Sequence, residues 1–298
     1  MNLRNFAAVF LCLAAAAANA QQAQQRPAQR AVIANDQRLY REARTESKVL
    51  GQLSVGEEAT IIGREGPLVQ VTLAGDRSGW TLANGVVPLD SPYAPGLLFD
   101  AAQRLASTEE APPATLQAAA RLYRKAVAAK LDGVYAAEAQ WRAAELSYQT
   151  TGSAALGELN AVVKLYPKTP QAARAAFAQV RAGLCEFWDG TPGCPAAEIN
   201  SIAEWLKEYP ESDLSAEARY SLAYRHAALV EVYLQPGKPY FSAEQAVAHK
   251  QKAREVVAEL QRLNAREPDW VARGERLLWC LDNNIGVMSN IETPLRRF

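Results

Sequence analysis

The chain has 298 residues, 49% hydrophobic and 21% charged, with 32 basic residues balanced by 32 acidic ones. That length can bury more than one small core. With that balance and no polybasic arm or basic stripe, the electrostatic term that drives nucleic-acid binding is missing, and no nucleic-acid partner is expected.

Residues 1–20 read as an export signal. Arg4 gives a basic start, residues 6–18 form an unbroken apolar run, and Ala18-Asn19-Ala20 has the small-x-small pattern of a cleavage site. The run is shorter than the ~20 residues a membrane-spanning helix needs. Cys12 is not a lipidation site, because Leu11 stands where a small residue is required. No later stretch is apolar enough to cross a bilayer, so the mature chain is expected in the periplasm or outside the cell. Residues 21–30, rich in Gln and carrying Pro27, read as a flexible leader.

Residues 31–89 carry strand signals. Ala59, Ile61 and Gly63 alternate with Thr60 and Ile62, and Val69, Val71 and Leu73 alternate with Leu68, Gln70 and Thr72. Glycines from Gly51 to Gly85 punctuate these segments, and Asn84-Gly85 is a tight-turn pair. Several short strands in so few residues predict a closed or nearly closed barrel, which avoids long exposed edges.

Leu39-Tyr40-Arg41, the run from Ala43 to Gly51, then Leu53, Gly56 and Ser78-Gly79-Trp80-Thr81 follow one another before the hydrophobic strand from Val86 to Leu89. Together they resemble a bacterial SH3-like domain, over about a fifth of the chain. Leu68 stands where many members of that family carry Trp before their Val-x-Val strand. The resemblance implies cell-wall peptide binding, with Tyr40 and Trp80 as ligand-binding candidates. The other use for Trp80 is as a plug in the barrel, where most large aromatics of a small domain lie.

Ser91-Pro92-Tyr93-Ala94-Pro95-Gly96 marks a boundary, and residues 91–283 have helical periodicity. Three segments align with one another, Ala137–Ala144, Gln171–Ala178 and Ala216–Ala223. Their starts at 137, 171 and 216 are 34 and 45 residues apart, and ~34 is the tetratricopeptide period. Partner helices carry Ala155, Leu159, Val162 and Pro167, then Val256, Leu260, Leu263 and Pro268, and in looser form Ala119, Tyr123 and Ala126. Tyr166-Pro167 and Tyr209-Pro210 end their helices, because Pro disfavours helical geometry at the residue before it. This array resembles the long, divergent tetratricopeptide-type repeats of bacterial envelope proteins, although the full Trp-Leu-Gly-Tyr signature is absent. The resemblance implies a curved solenoid whose concave face takes a peptide or protein; an irregular helical bundle is the other arrangement. Trp141, Tyr148, Tyr220 and Tyr224 are candidate partner contacts on its surface, with core packing as their alternative.

The 45-residue spacing contains Cys185-Glu186-Phe187-Trp188-Asp189-Gly190-Thr191-Pro192-Gly193-Cys194, an inserted loop that a Cys185–Cys194 disulfide would close in an oxidising compartment. Two thiols with His226 and His249 far along the chain make a poor metal set. Trp188, with Phe187 and Asp189, either contacts a partner or folds back onto the helices. Gln235 to Phe241 is a second insertion, and residues 284–298 form an aperiodic tail.

No Gly-rich phosphate loop, nucleophile elbow or paired-His zinc signature occurs. Glu138, Glu145 and Glu217 have the spacing of ordinary surface ion pairs. His226 reads as a packed helix residue, and His249, beside Lys250, Lys252 and Arg254, as part of a solvated face. The expected fold is thus multidomain, a small all-β SH3-like barrel (31–89) followed by an all-α helical-repeat solenoid (91–283). The expected function is that of a non-enzymatic exported envelope scaffold or adaptor without metal or cofactor, binding a protein or peptide through its helices and peptidoglycan through the barrel. A protein-only module with a structural barrel is the second reading, and a peptidoglycan hydrolase the third.

Overall fold

Strand signals and turn residues in the first ninety positions resolve into seven short strands, in a computed structural model that describes residues 28–185, 188–263 and 266–291. The export signal, most of the leader, Phe187 and the end of the tail lie outside the described residues. The strands are β1 (Gln29–Ile33), β2 (Gln37–Tyr40), β3 (Val49–Leu53), β4 (Glu58–Glu65), β5 (Leu68–Leu73), β6 (Ser78–Leu82) and β7 (Val86–Pro88). Their order is β3-β2-β6-β5-β4-β1-β7, and the pairings are antiparallel. Gln29 and Arg30, read as leader, belong to β1, where they pair with Ile61 and Thr60.

The sheet is open. β7 is three residues long and ends in Pro88, which has no N–H for a further rung. At the other edge, β3 turns all but Leu53 toward solvent. The expected closed ladder therefore does not form. Alternation places Ala31, Ile33, Leu39, Leu53, Ala59, Ile61, Val69, Val71, Leu73 and Val86 in one cluster. A register shift between Ile61 and Gly63 leaves Ile62 half exposed, the signature of a bulge. At Gly79 a Cβ would stand 2.6 Å from the Tyr40 carbonyl oxygen and 2.9 Å from Leu39 Cγ, so only glycine lets β6 approach β2 this closely.

Three helices follow: α1 (Ala94–Ala106), α2 (Pro113–Ala128) and α3 (Gly133–Thr151). Small side chains on α1 and α2 (Ala101, Ala102, Ala118, Ala119, Ala126) let the two pack closely around Leu98, Leu122 and Tyr123. Val32, Ala34, Val55 and Val87 of the sheet region and Ala139, Ala143 and Leu146 of α3 join the same core. Arg121 of α2 donates to the Val55 carbonyl oxygen through Nη2 (3.2 Å) and Nε (3.4 Å), and Lys125 pairs with Glu58. The Arg121 stem lies over Gly56, whose φ of +82° and 3.1 Å clearance exclude a side chain. Where composition places a boundary at 91–96, the sheet and first helices thus share one interior. The chain divides into two compact units between Leu146 and Ser147, inside α3.

The second unit continues with α4 (Leu156–Leu165), α5 (Pro170–Ala182), α6 (Gly193–Glu208), α7 (Ser215–Tyr233), α8 (Ala243–Gln261), α9 (Pro268–Asp282) and the short α10 (Val287–Asn290). Successive helices from α4 to α9 pack on one another. Tyr166 and Tyr209 leave helical geometry, with ψ of 51° and 56°, just before their prolines. Thr169 and Ser242 cap α5 and α8 by accepting from the backbone N–H of Ala172 and Gln245. α7 is the central helix of this unit: 15 of its 19 residues are buried, so no polar stripe remains. Among the described residues no helix is long and apolar enough to cross a membrane.

Candidate binding site

The two Tyr-Pro turns meet. Lys168, Thr169 and Pro170 at the start of α5 face Tyr209 to Asp213 before α7 across a cleft of about 600 Å³, within the usual range for ligand pockets. A buried Trp205 holds the turns in register, its Nε1 donating to the Ala173 carbonyl oxygen at 3.0 Å. Phe177, Trp205 and Tyr209 extend that support as tilted rings 4.7 and 5.6 Å apart. Arg174 closes one side by donating to Asp213 Oδ2 at 2.7 Å.

Burial raises the Asp213 carboxyl, but the hydrogen bond and charge of Arg174 outweigh it and hold the group below its ordinary value. Burial, then Glu208, pushes the Tyr209 phenol up to about 12, so it stays neutral. The Thr169 hydroxyl is already occupied, donating to Tyr166 O at 2.7 Å and capping α5. Pro170, Ala173, Tyr209 and Pro210 supply apolar wall, while Lys168, Glu208 and Glu211 supply charge. Ser212 donates its hydroxyl to Asp213 Oδ1 at 3.1 Å, and Arg174 holds the other oxygen of that carboxylate.

On the sheet, Tyr40 pairs with Trp80, Trp80 with Gln70, and Gln70 with Gly63, which sets these positions on one face across four strands. Gly79 and Thr81 are buried toward the sheet cluster, so alternation turns Trp80 away from it. Trp80 therefore does not plug a barrel. Its ring edge passes 3.8 Å from where a Gly63 Cβ would stand, and the residue is half-buried, while Tyr40 is buried.

The proposed helical contact residues fall elsewhere. Trp141, Tyr148, Tyr220 and Tyr224 are between 2% and 9% exposed, so their side chains pack inside the molecule and present no partner surface. Tyr220, for example, lies 5.5 Å from the Trp270 ring. Trp188 alone of the five is exposed, at 38%. It folds back on its own loop, with Nε1 donating to Thr191 O at 2.6 Å.

Cys185 and Cys194 form the expected disulfide, and Cys280 is buried and free. Beneath the bond, Glu198 Oε1 accepts from the Cys185 N–H at 3.0 Å, and Oε2 is held by Arg225. The two sulfurs and the Glu198 carboxylate lie within 4.8 Å of one another. With the sulfurs bonded together and the carboxylate paired, this cluster is structural.

Sequence spacing missed two long-range contacts. Tyr240, in the second insertion, donates to Gly190 O at 3.1 Å and so ties the two inserted loops together. His249, read as solvated, is instead half-buried against His226. The aromatic pair Tyr240-Phe241 after Pro239 was the only local hint of the first, and nothing local signals the second. Glu138 and Glu145 pair with Arg142 at 2.7 and 2.9 Å, and Glu217 with Arg181 at 3.5 Å.

No family model matches the chain, and neither a curated relative nor a solved structure matches it.

Proposed function

We propose that the chain is a non-enzymatic scaffold or adaptor of the cell envelope, exported by its N-terminal signal, that receives a protein or peptide segment between its two Tyr-Pro turns. The observation that carries this reading is the cleft itself: apolar wall, charged margin and a phenol held neutral. Prolines at 170 and 210 offer no N–H, so an extended segment would find its polar partners at Lys168, Glu208 and Glu211. The tetratricopeptide-type resemblance supports the same use, since such repeats present turns in series to a partner. A photoreactive residue at Glu211 should cross-link one partner species through one sequence segment, and the same residue at exposed Glu244 should not. Equal labelling from both positions would refute the assignment.

For the sheet, outward-facing Trp80 supports contact with peptidoglycan, as the SH3-like resemblance implies. The second reading, a sheet whose role is structural, would rest on the grip of Arg121 and Lys125 on Val55 and Glu58. The readings part on Trp80→Ala, which leaves that grip intact and alters wall attachment only under the first.

A further inference from the structure

We infer that the two histidines form a proton-controlled latch between α7 and α8. The chain contains only two, on different helices and 23 residues apart, yet their Nδ1 atoms are 2.9 Å apart. The ring centroids are 5.1 Å apart, close to the collinear sum of that contact and a ring radius on either side, so the nitrogens face each other nearly head-on. Such a contact is an N–H···N hydrogen bond: one Nδ1 carries a proton and the other a lone pair. A cation shared by both rings would need the two lone pairs turned to a common point about 2 Å from each nitrogen. Here they are aimed at one another, which favours the proton over a metal.

Proton bookkeeping gives the latch its response. The first added proton goes to the outer Nε2 of the donor ring and preserves the N–H···N bond, now charge-assisted. The second has only the bonded Nδ1 of the acceptor ring to occupy. It sets two N–H donors and two positive charges face to face, with His226 8% exposed. Among the described residues the surroundings offer no ready counter-ion. From α8, Glu255 is paired with Lys252 at 2.9 Å. From α6, Glu198 is held by Arg225 of α7. From α9, Asp282 is held by Lys250 and Arg254. On α7 itself, Glu231 accepts from the Val287 and Met288 N–H groups at the start of α10, which brings no titratable side chain of its own. Burial, followed by His249, holds His226 at about 4, and burial lowers His249 as well.

Opening at this point has a defined route outward. Tyr233 stacks on His249 (5.5 Å, 10°), and its carbonyl accepts from the Ser242 N–H at 2.9 Å, so both ends of the loop from Leu234 to Ser242 are fastened beside the latch. That loop carries Tyr240 and its bond to Gly190 of the disulfide loop. Acid parting of α7 and α8 therefore frees the joined loops that expose Trp188 and Phe241.

The test is hydrogen exchange of the full chain, corrected for intrinsic rates, at neutral pH and near pH 4. The latch predicts at least about ten-fold faster exchange in acid across the end of α7, the loop and the start of α8. His249→Gln retains an amide to bond His226 without taking the second proton, and should suppress most of that increase. Unchanged protection in acid, or an equal loss in the variant, would overturn the latch. Should the variant not fold, imidazole resonances of the unaltered chain decide the question. Titration in two separated steps, the second coinciding with loss of protection, supports it; two independent titrations near the ordinary value of 6.5 refute it.

Discussion

Removing the Cys185–Cys194 bond should destabilise the second unit by about 2.5 kcal/mol. The bond joins residues nine apart, and the chain-entropy relation for a loop of that size gives about 2.5 kcal/mol of unfolded-state restriction at 25 °C. Two local contacts set how far the folded state adds to this. The Cys185 N–H bond to Glu198 and the Trp188 bond to Thr191 each contribute about 1 kcal/mol where they are lost with the loop. Glu198 itself stays paired with Arg225, so no uncompensated charge is left behind. The expected loss is thus about 2.5 kcal/mol if the loop holds its shape and about 4.5 kcal/mol if it melts. Urea denaturation of the Cys185→Ser/Cys194→Ser double variant measures it, against the unaltered chain with and without a phosphine reductant. Reduction should reproduce the double variant, and the double variant should ignore the reductant, since Cys280 forms no bond. In denaturant without reductant, chain lacking residues 1–20 should show one reactive thiol. Three thiols, or a midpoint that reduction leaves unmoved, would refute the reasoning.

Acid should weaken the fold through His226. The unfolded chain binds this proton near 6.5 and the folded chain only near 4, so the unfolded state holds more protons between those values. The contribution is complete above pH 6.5 and is lost as pH falls, reaching about 3 kcal/mol below pH 4. Denaturation curves of the unaltered chain and His226→Asn should converge over that window, and parallel curves would contradict it. Gly79→Ala should cost about 1–3 kcal/mol because the new methyl meets the Tyr40 backbone oxygen. Gly85→Ala should cost less, since the atom it meets is the flexible amide of Gln37; equal thermal shifts would argue against this packing. Arg121→Ala leaves the buried Val55 carbonyl without its side-chain donor and should lower the first unit's stability by about 1–2 kcal/mol, read by thermal unfolding.

What the sequence made legible was local. Alternation around Ala59–Ile61 and Val69–Leu73, the switch to helix after Ser91, the Tyr-Pro stops and the Cys185–Cys194 loop each arise within a few residues of backbone preference, and the structure contains them. What it hid depends on partners distant in the chain. Whether β3 finds β7 is decided by strand length and by Pro88, so the alternation could not distinguish a closed ladder from an open one. Residues on α7 gave no reliable surface face because the helix is buried on nearly every side, which is why Tyr220 and Tyr224 proved interior. The cleft was half visible. Both Tyr-Pro motifs were evident, but their juxtaposition rests on Trp205 reaching Ala173, 32 positions earlier. The histidine contact, across 23 positions and two helices, has no periodic signal at all.

We propose binding at the envelope, without catalysis, as the role of this chain. Incubating the mature full-length protein with purified, labelled peptidoglycan, then separating pellet from supernatant, tests both halves at once. The account predicts protein in the pellet, diminished by Trp80→Ala without a change in melting temperature, and no soluble wall fragments however long the incubation. Release of labelled fragments would contradict the non-enzymatic assignment, and protein left wholly in the supernatant would contradict the wall contact.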